Sequence, residues 1–493
     1  MPWLRVLDRA TSIGGAIVAG VAMCVGFALA LFSWFPDAVR DYTGAPWWIG
    51  GVVLLALAPF LELQFVTFAV ARHVVRRRGG SVARIALCAA AIYVGTEWLF
   101  PKVFGDTLGV GLYAAPWVRQ AADVAGVPGL TFVLLLANDS ASAVWVRRAR
   151  LRAAAVPAGC FAALVLAPSL YGALRCRQLA REAGRERPIV AALVQADLSH
   201  YDRLADRVGK FQAVRTILDD HFALSADALR RGIDLLVWPE TVYPTTFGTP
   251  KSADGAAFDR EIAAFVGAAG VPLVFGAYDA DAGDEFNAAV FLEPPADGRV
   301  AFETYRKARL FPLTERVPWL LQTDFVRRRW SWLGTWKPGQ GGKSVALTLR
   351  DGRRVRLAPL ICYDVFDPDV ALAGVRDGGE VLVTLSNDSW VTFGDVPRLI
   401  LVLAAFRSIE TRRAQLRATN TGISAVIGPT GEILASAGVH ERATITGSVE
   451  PARTIATPML AGGEWFPAGA LAGGVILLAW AGQPIFRSRR LTR

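Results

Sequence analysis

Charge is scarce in this chain. Only 19% of the 493 residues are Asp, Glu, Lys or Arg, 53% are hydrophobic, and the mean hydropathy is +0.35. Soluble globular proteins carry about 25% charged residues, so these figures exclude a disordered chain and argue against an ordinary soluble enzyme. Cysteine is also rare. Cys24, Cys88 and Cys160 lie inside apolar runs, Cys176 lies at the edge of one, and Cys362 stands alone in the more polar part. One cysteine cannot staple a domain to itself, which excludes a disulfide framework there. The four histidines, His73, His200, His221 and His440, sit in no run resembling a catalytic triad. The sequence has no tandem repeat and no low-complexity stretch, and no metal or cofactor is expected.

The net charge of +10 suggests nucleic acid until the basic residues are located. Fifteen arginines, against the single acid Asp8, fall in four short segments: 1–11, 72–84, 147–152 and 487–493. The remainder of the chain is slightly acidic. Arginine clusters at the ends of apolar runs mark the cytoplasmic side of a membrane, not a basic face for nucleic acid.

A span needs about 20 apolar residues. Five candidates precede residue 180, at roughly 12–34, 46–71, 82–100, 124–146 and 153–174, and a sixth lies near 464–486. With the N-terminus inside, RHVVRRR, VRRARLR and RSRRLTR all end spans on one face. Everything from 175 to 463 then falls outside. The first apolar run is longer than the 7–15 residues of a signal peptide core and has no clear cut site, so it reads as a retained span. Glu62, close to Pro59, marks a helix kink or break, and Glu97 lies near the outer end of its span.

The expected organisation is an N-terminal transmembrane helical domain (1–180), an extracytoplasmic catalytic domain (181–455), and a C-terminal transmembrane helix with a basic cytoplasmic tail (456–493). In the middle part, apolar runs at 189–195, 234–240, 272–278, 356–364, 380–388 and 423–429 alternate with helical patterns near 207–231, 257–269 and 397–413. Continuous apolar runs read as strands buried on both faces, and the alternation as an α/β domain.

Three strand ends carry residues that could do chemistry. Cys362 closes one strand and precedes Asp367-Pro368, a helix-start signal. A strand-to-helix turn lifts a side chain to the sheet edge where α/β sites form. Glu240 ends DLLVWPE, and Lys307 lies in YRKARLFPLTERVP with Glu315 eight residues on. A thiol nucleophile needs a base, which a carboxylate in apolar surroundings supplies, and its tetrahedral intermediate needs a cation. Taken singly, each also fits a plainer part: a small buried hydrophobe, a strand-end acid, a solvated surface lysine.

Together these residues resemble the nitrilase superfamily, with its Glu-Lys-Cys triad on an αββα sandwich. More closely, VWPETVYP (237–244), YRKARLFPLTERVP (305–318), ICYDVFDP (361–368), SNDSW (386–390) and LRATNTGISAVIGPTG (416–431) resemble its membrane-embedded branch, the apolipoprotein N-acyltransferases. So do GTEWLF (95–100) and GVPGLTFVLLLAN (126–138) upstream. The resemblance implies a nitrilase-like sandwich inserted between transmembrane α-helices, about five before it and one after. It also implies acyl transfer from a phospholipid to the α-amine of a diacylglyceryl-cysteine on an apolipoprotein, at a bacterial inner membrane, through a Cys362 thioester. Glu240 would be base and then acid, Lys307 the oxyanion partner, and Glu315 an orienting group. Tyr363, Asp364, Asn387 and Trp390 would support the site or bind substrate. Other readings are a membrane-tethered amidase or hydrolase, and an inactive scaffold for a glycosyltransferase.

The chain departs from the family pattern at Leu313-Thr314, at Asp364 where glutamate is usual, and at Val391-Thr392. It also has His200-Tyr201 where a tryptophan is expected, and six spans instead of eight. Trp319, Trp330, Trp332 and Trp336 suggest a membrane-dipping lid over 317–337.

Overall fold

The computed structural model describes residues 2–480 apart from 101, 199–200, 296–298, 313, 318–322, 324–333, 335, 390–394 and 454. The chain divides into two compact units, one of residues 1–174 with the chain from 464 onward, the other of residues 175–463.

The first unit is helical: α1 (Pro2–Arg9), α2 (Ile13–Leu31), α3 (Phe35–Thr43), α4 (Trp47–Leu61), α5 (Leu63–Arg77), α6 (Val82–Leu99), α7 (Ala122–Arg147) and most of α8 (Leu151–Glu182). Of these, α2, α6, α7 and α8 are long and apolar enough to cross a membrane, and α4 with α5 is so only as a pair, bent by 43° as in a broken span or a re-entrant loop. The five expected N-terminal spans fall on these helices. The bend comes at Glu62, three residues after Pro59, whose ring denies a helix its i−4 hydrogen bond. The last helix, Trp465–Trp480, is shorter. The rest of the expected 464–486 span and the arginine-rich tail lie outside the described residues. Inside this apolar unit Arg72 is buried and paired with Asp8 of α1 at 2.9 Å and Asp139 of α7 at 2.5 Å. Packing is close: a Cβ on Gly20 of α2 would stand 2.8 Å from the main chain of Val66 on α5.

The second unit contains two sheets. Its strands are β1 (Ile189–Gln195), β2 (Leu235–Val237), β3 (Tyr243–Thr246), β4 (Leu273–Asp281), β5 (Asp284–Leu292), β6 (Phe302–Arg306), β7 (Val345–Thr348), β8 (Arg354–Ile361), β9 (Val381–Ser386), β10 (Gln415–Thr419), β11 (Ala425–Ile427), β12 (Ile433–Ser436) and β13 (Ala443–Val449). One sheet runs β13-β1-β2-β4-β5-β6 with β3 beside β4, and the other β12-β11-β10-β9-β8-β7. The pairs β1–β2, β2–β4, β8–β9 and β9–β10 are parallel, as βα crossovers require. Side-chain alternation builds the layers. Leu193, Leu235 and Val274 of the first sheet pack with Leu357, Val383 and Leu416 of the second in one inner core. Their neighbours Ala192, Leu236 and Leu273 face outward, into a core with α10 (Lys210–Arg230) and α11 (Ala253–Ala269). Ala358 and Leu382 of the second sheet meet α12 (Pro368–Arg376) on their outer side. Helix, sheet, sheet, helix is the order of an αββα sandwich.

Strand ends differ from the expected runs where chemistry intervenes. The 234–240 run forms a strand only over 235–237, because Pro239 has no N–H to donate. The 356–364 run ends at Ile361, where Cys362 turns into a 3₁₀ segment. Replacing Leu193 with alanine, in the fully buried layer between the sheets, should cost about 2–5 kcal/mol, against under about 0.5 kcal/mol for Leu434→Ala, which is exposed. Thermal unfolding in detergent measures both, and equal shifts would refute the two-sheet core.

Candidate active site

The ends of β2, β6 and β8 and the loop after β6 bring four groups together. Glu240 follows β2 and is 5% exposed. Its Oε1 accepts from Lys307 Nζ at 3.1 Å and from the Asn287 amide at 2.7 Å, and its Oε2 from the Asn387 N–H at 2.7 Å. Lys307 follows β6, is 1% exposed, and donates also to Glu315 Oε1 at 2.7 Å. Its main chain is clamped on both sides, by a bond from its N–H to the Asn287 carbonyl and one from Gly339 to its own carbonyl. Glu315 in turn accepts from the Phe311 N–H at 2.7 Å. One ammonium is thus buried between two carboxylates.

Cys362 follows β8 with φ +45°, in the left-handed region a non-glycine residue rarely occupies. The residues around it hold that conformation. Asp364, two positions on, is fully buried and accepts from Ile361 N–H (2.9 Å), Tyr305 hydroxyl (3.0 Å), Ala308 N–H (3.1 Å) and Arg309 N–H (2.7 Å). A single carboxylate therefore ties the turn bearing the cysteine to the strand end bearing the lysine. The shorter side chain at this position is matched to donors close at hand. Its four bonds hold the framework of the site. Burial raises its pKa to about 6 despite these donors. Asp367 caps α12 through the Asp369 N–H, so the helix-start signal after Cys362 is used.

Burial pushes the Cys362 thiol well up; the Glu240 charge adds to this and the Lys307 ammonium opposes it. Burial thus favours the protonated form of this sulfur. Burial also raises the Glu240 pKa, Lys307 counteracting and Glu315 adding, which suits a base that must take a proton and return it. Burial works against the charge on Lys307, but Glu240 and Glu315 outweigh it and keep the ammonium firmly protonated.

Tyr363 stacks on Phe366 (ring centroids 4.9 Å apart) and meets Phe311 edge-on at 5.1 Å. Asn387 donates through its main chain, as noted. Trp390 lies outside the described residues, as do Trp319, Trp330, Trp332 and most of the expected lid; Trp336 packs on Tyr278 at 4.6 Å. Sequence reasoning missed Asn287. Its amide bridges Glu240 and Glu315 (3.2 Å), and the only sequence signal was a polar residue at a buried position of a strand. Among the described residues no group of His, Cys, Asp and Glu is arranged to hold a metal ion.

A family model described as carbon-nitrogen hydrolase matches residues 190–459, so the chain belongs to that family. A second model, described as the apolipoprotein N-acyltransferase N-terminal domain, matches residues 1–139. An apolipoprotein N-acyltransferase of Bdellovibrio bacteriovorus is 26% identical over 463 residues, covering 89% of this chain and 81% of that protein. That of Geobacter metallireducens is 28% identical, covering 88% and 80%. Apolipoprotein N-acyltransferase 2 of Treponema pallidum is 30% identical, covering 71% and 67%. Within the carbon-nitrogen hydrolases, the chain falls among the apolipoprotein N-acyltransferases.

The charge arrangement gives a sharp expectation. Glu240→Gln should lower turnover by about 10²–10⁴-fold, read as acyl transfer by the purified protein in detergent. Wild-type turnover in that variant would remove the carboxylate from proton transfer.

Proposed function

We propose that this protein is an N-acyltransferase that moves an acyl chain from a phospholipid to the α-amine of a diacylglyceryl-cysteine on an apolipoprotein, the last step of lipoprotein maturation. The observation carrying this reading is the buried Glu240–Lys307–Glu315 network beside Cys362, in a chain that also supplies at least four helices able to cross a membrane. Both reactants are lipids, and a membrane-held enzyme meets them in two dimensions at raised effective concentration.

In the first half-reaction the Cys362 sulfur attacks the ester carbonyl of the phospholipid as its proton passes to Glu240. The oxyanion forms within reach of the Lys307 ammonium, and its collapse breaks the C–O bond. Glu240 returns the proton to the leaving glycerol oxygen, so lysophospholipid departs and a thioester remains. In the second, the α-amine attacks that thioester and loses a proton to Glu240. The C–S bond breaks, an amide forms, and the thiol regains the proton. Glu315 and Asn287 keep the lysine and the base in register. No cofactor is required. The arginine clusters argue for a bacterial inner membrane with the catalytic unit on the outer, periplasmic side. An amidase or hydrolase would use the same groups with water as acceptor, and a scaffold would use none of them.

The test is incubation with labelled acyl-phospholipid and a diacylated lipopeptide. Transfer predicts triacylated peptide, lysolipid, and hydroxylamine-sensitive label on Cys362 that is absent in Cys362→Ala. Free fatty acid without acylated peptide would favour the hydrolase, and no label the scaffold. Lys307→Arg should lose about 10²–10³-fold, because a planar guanidinium replaces a compact ammonium at the oxyanion. Wild-type kinetics in that variant would remove lysine from this role.

A further inference from the structure

The second sheet carries a buried ion pair next to the turn that reaches Glu240. Leu416 and Ala418 of β10 belong to the inner core, so Arg417 between them points to the outer side of the sheet. Arg417 and Asp388 are both fully buried, and the arginine Nη2 donates to Asp388 Oδ2 at 2.8 Å. Its Nε and Nη1 have no partner among the described residues. Gln415, on the same side of β10, accepts from Ser408 of α13 (Val396–Thr411) at 3.2 Å and donates to Thr384 at 2.5 Å.

Taking two charges out of water is costly, and one hydrogen bond between them offsets only part of that. Well-packed apolar side chains in place of such a pair are often as stable. Stability therefore does not explain this pair, and what it adjoins is the turn after β9. Asp388 Oδ1 accepts from the Ser386 hydroxyl at 2.5 Å, so the carboxylate closes across Asn387. The loop after β10 presses on the same turn. Its Asn420 N–H donates to the Ser386 carbonyl at 3.1 Å, and a Cβ on Gly422 would stand 2.2 Å from Asp388 Oδ2. The Asn420 side chain is itself anchored, accepting from the Leu198 N–H at 3.1 Å ahead of α9 (Tyr201–Val208). The Asn387 N–H, in the middle of this turn, reaches Glu240 Oε2 at 2.7 Å and is one of three donors on that carboxylate. Burial and the Glu240 charge push the Cys362 thiol up and Asp388 adds to them, which puts this second acid near the sulfur as well.

We propose that Arg417 and Asp388 are positioning residues for the acyl transfer: their buried pair fixes the turn at Asn387, and its N–H then holds the Glu240 carboxylate in the orientation that takes the Cys362 proton. This rests on the transfer reading above. Neither residue touches the reacting atoms. Of the donors on Glu240, the Asn387 N–H alone belongs to the main chain, so its direction is set by the turn and not by a rotamer, and the ion pair is what keeps the turn from relaxing.

The test measures thioester formation on Cys362 from labelled acyl-phospholipid by the full chain in detergent, together with thermal unfolding. The double variant Asp388→Asn/Arg417→Met removes both charges at once and leaves neither unpaired. It should melt no lower than the wild type, yet its maximal rate should fall about 10–100-fold, with the half-saturating phospholipid concentration within about twofold of wild type. A pair that merely fills the fold would leave the maximal rate unchanged, and that result would overturn the proposal. So would an unchanged maximal rate with weaker phospholipid binding. Should the double variant fail to fold, Ser386→Ala decides. It takes one bond from Asp388 and keeps the ion pair, and its maximal rate should fall about three- to tenfold; a wild-type rate would overturn the proposal. In each of these results the wild type still forms thioester, so the transfer reading stands. A wild type that forms none overturns that reading, and the positioning role with it.

Discussion

A lysine ammonium held between two carboxylates, away from water, is the interaction on which the rest of the catalytic unit depends. Taking such charges out of water costs several kcal/mol each, and only close, well-directed partners repay it. Lys307 has them in Glu240 and Glu315, and Asn287 and Asn387 supply the remaining donors. These groups come from the ends of β2, β6 and β9, from within β5 and from a loop, so both sheets must be in register for the network to close. The long αββα framework can be read as the means of bringing an acid, a base and a thiol to one point with no freedom to relax apart.

Much of this was legible in the sequence because it is written in local patterns. β1 coincides with the expected run, and the inner and outer cores separate residue by residue, Leu193 to one and Ala192 to the other. Period-two burial survives any tertiary arrangement. The helix break near Pro59 and the start of α12 at Asp367-Pro368 were readable for the same reason, since proline acts on its own turn. Less legible were the short or edge strands, β3, β7 and β12. They have four residues each, too few for a pattern to stand out.

The candidate site divides in a similar way. Glu240 and Cys362 could be singled out because each ends an apolar run, and Lys307 because it lies in the stretch YRKARLFPLTERVP with Glu315 eight residues on. Asn287 could not, since its role appears only when β5 lies against β6 and its amide meets two carboxylates distant in sequence. Asp364 was legible as a departure from the family pattern but not in its work. Only the structure shows four donors converging on it, two of them from the loop after Lys307. The shorter acid still finds four donors within 3.1 Å.

The membrane unit uses the same device for a different purpose. Lys102 there is bonded to Glu62 at 2.7 Å and to Asp106 at 2.9 Å, with Glu97 at 3.9 Å. Acids in spans are functional suspects by default, and Glu62 and Glu97 drew attention in the sequence on that ground. In the structure Glu62 stands at the break between α4 and α5, where main-chain groups have lost their helical partners, and the lysine neutralises it. The Cys24 thiol donates to the Glu62 carbonyl at 3.0 Å, so the turn at the break is held from a second side. A buried ammonium among carboxylates is therefore a means of fixing a position. Beside Cys362 the things fixed are a carboxylate and an ammonium; at Glu62 it is the bend of a helix.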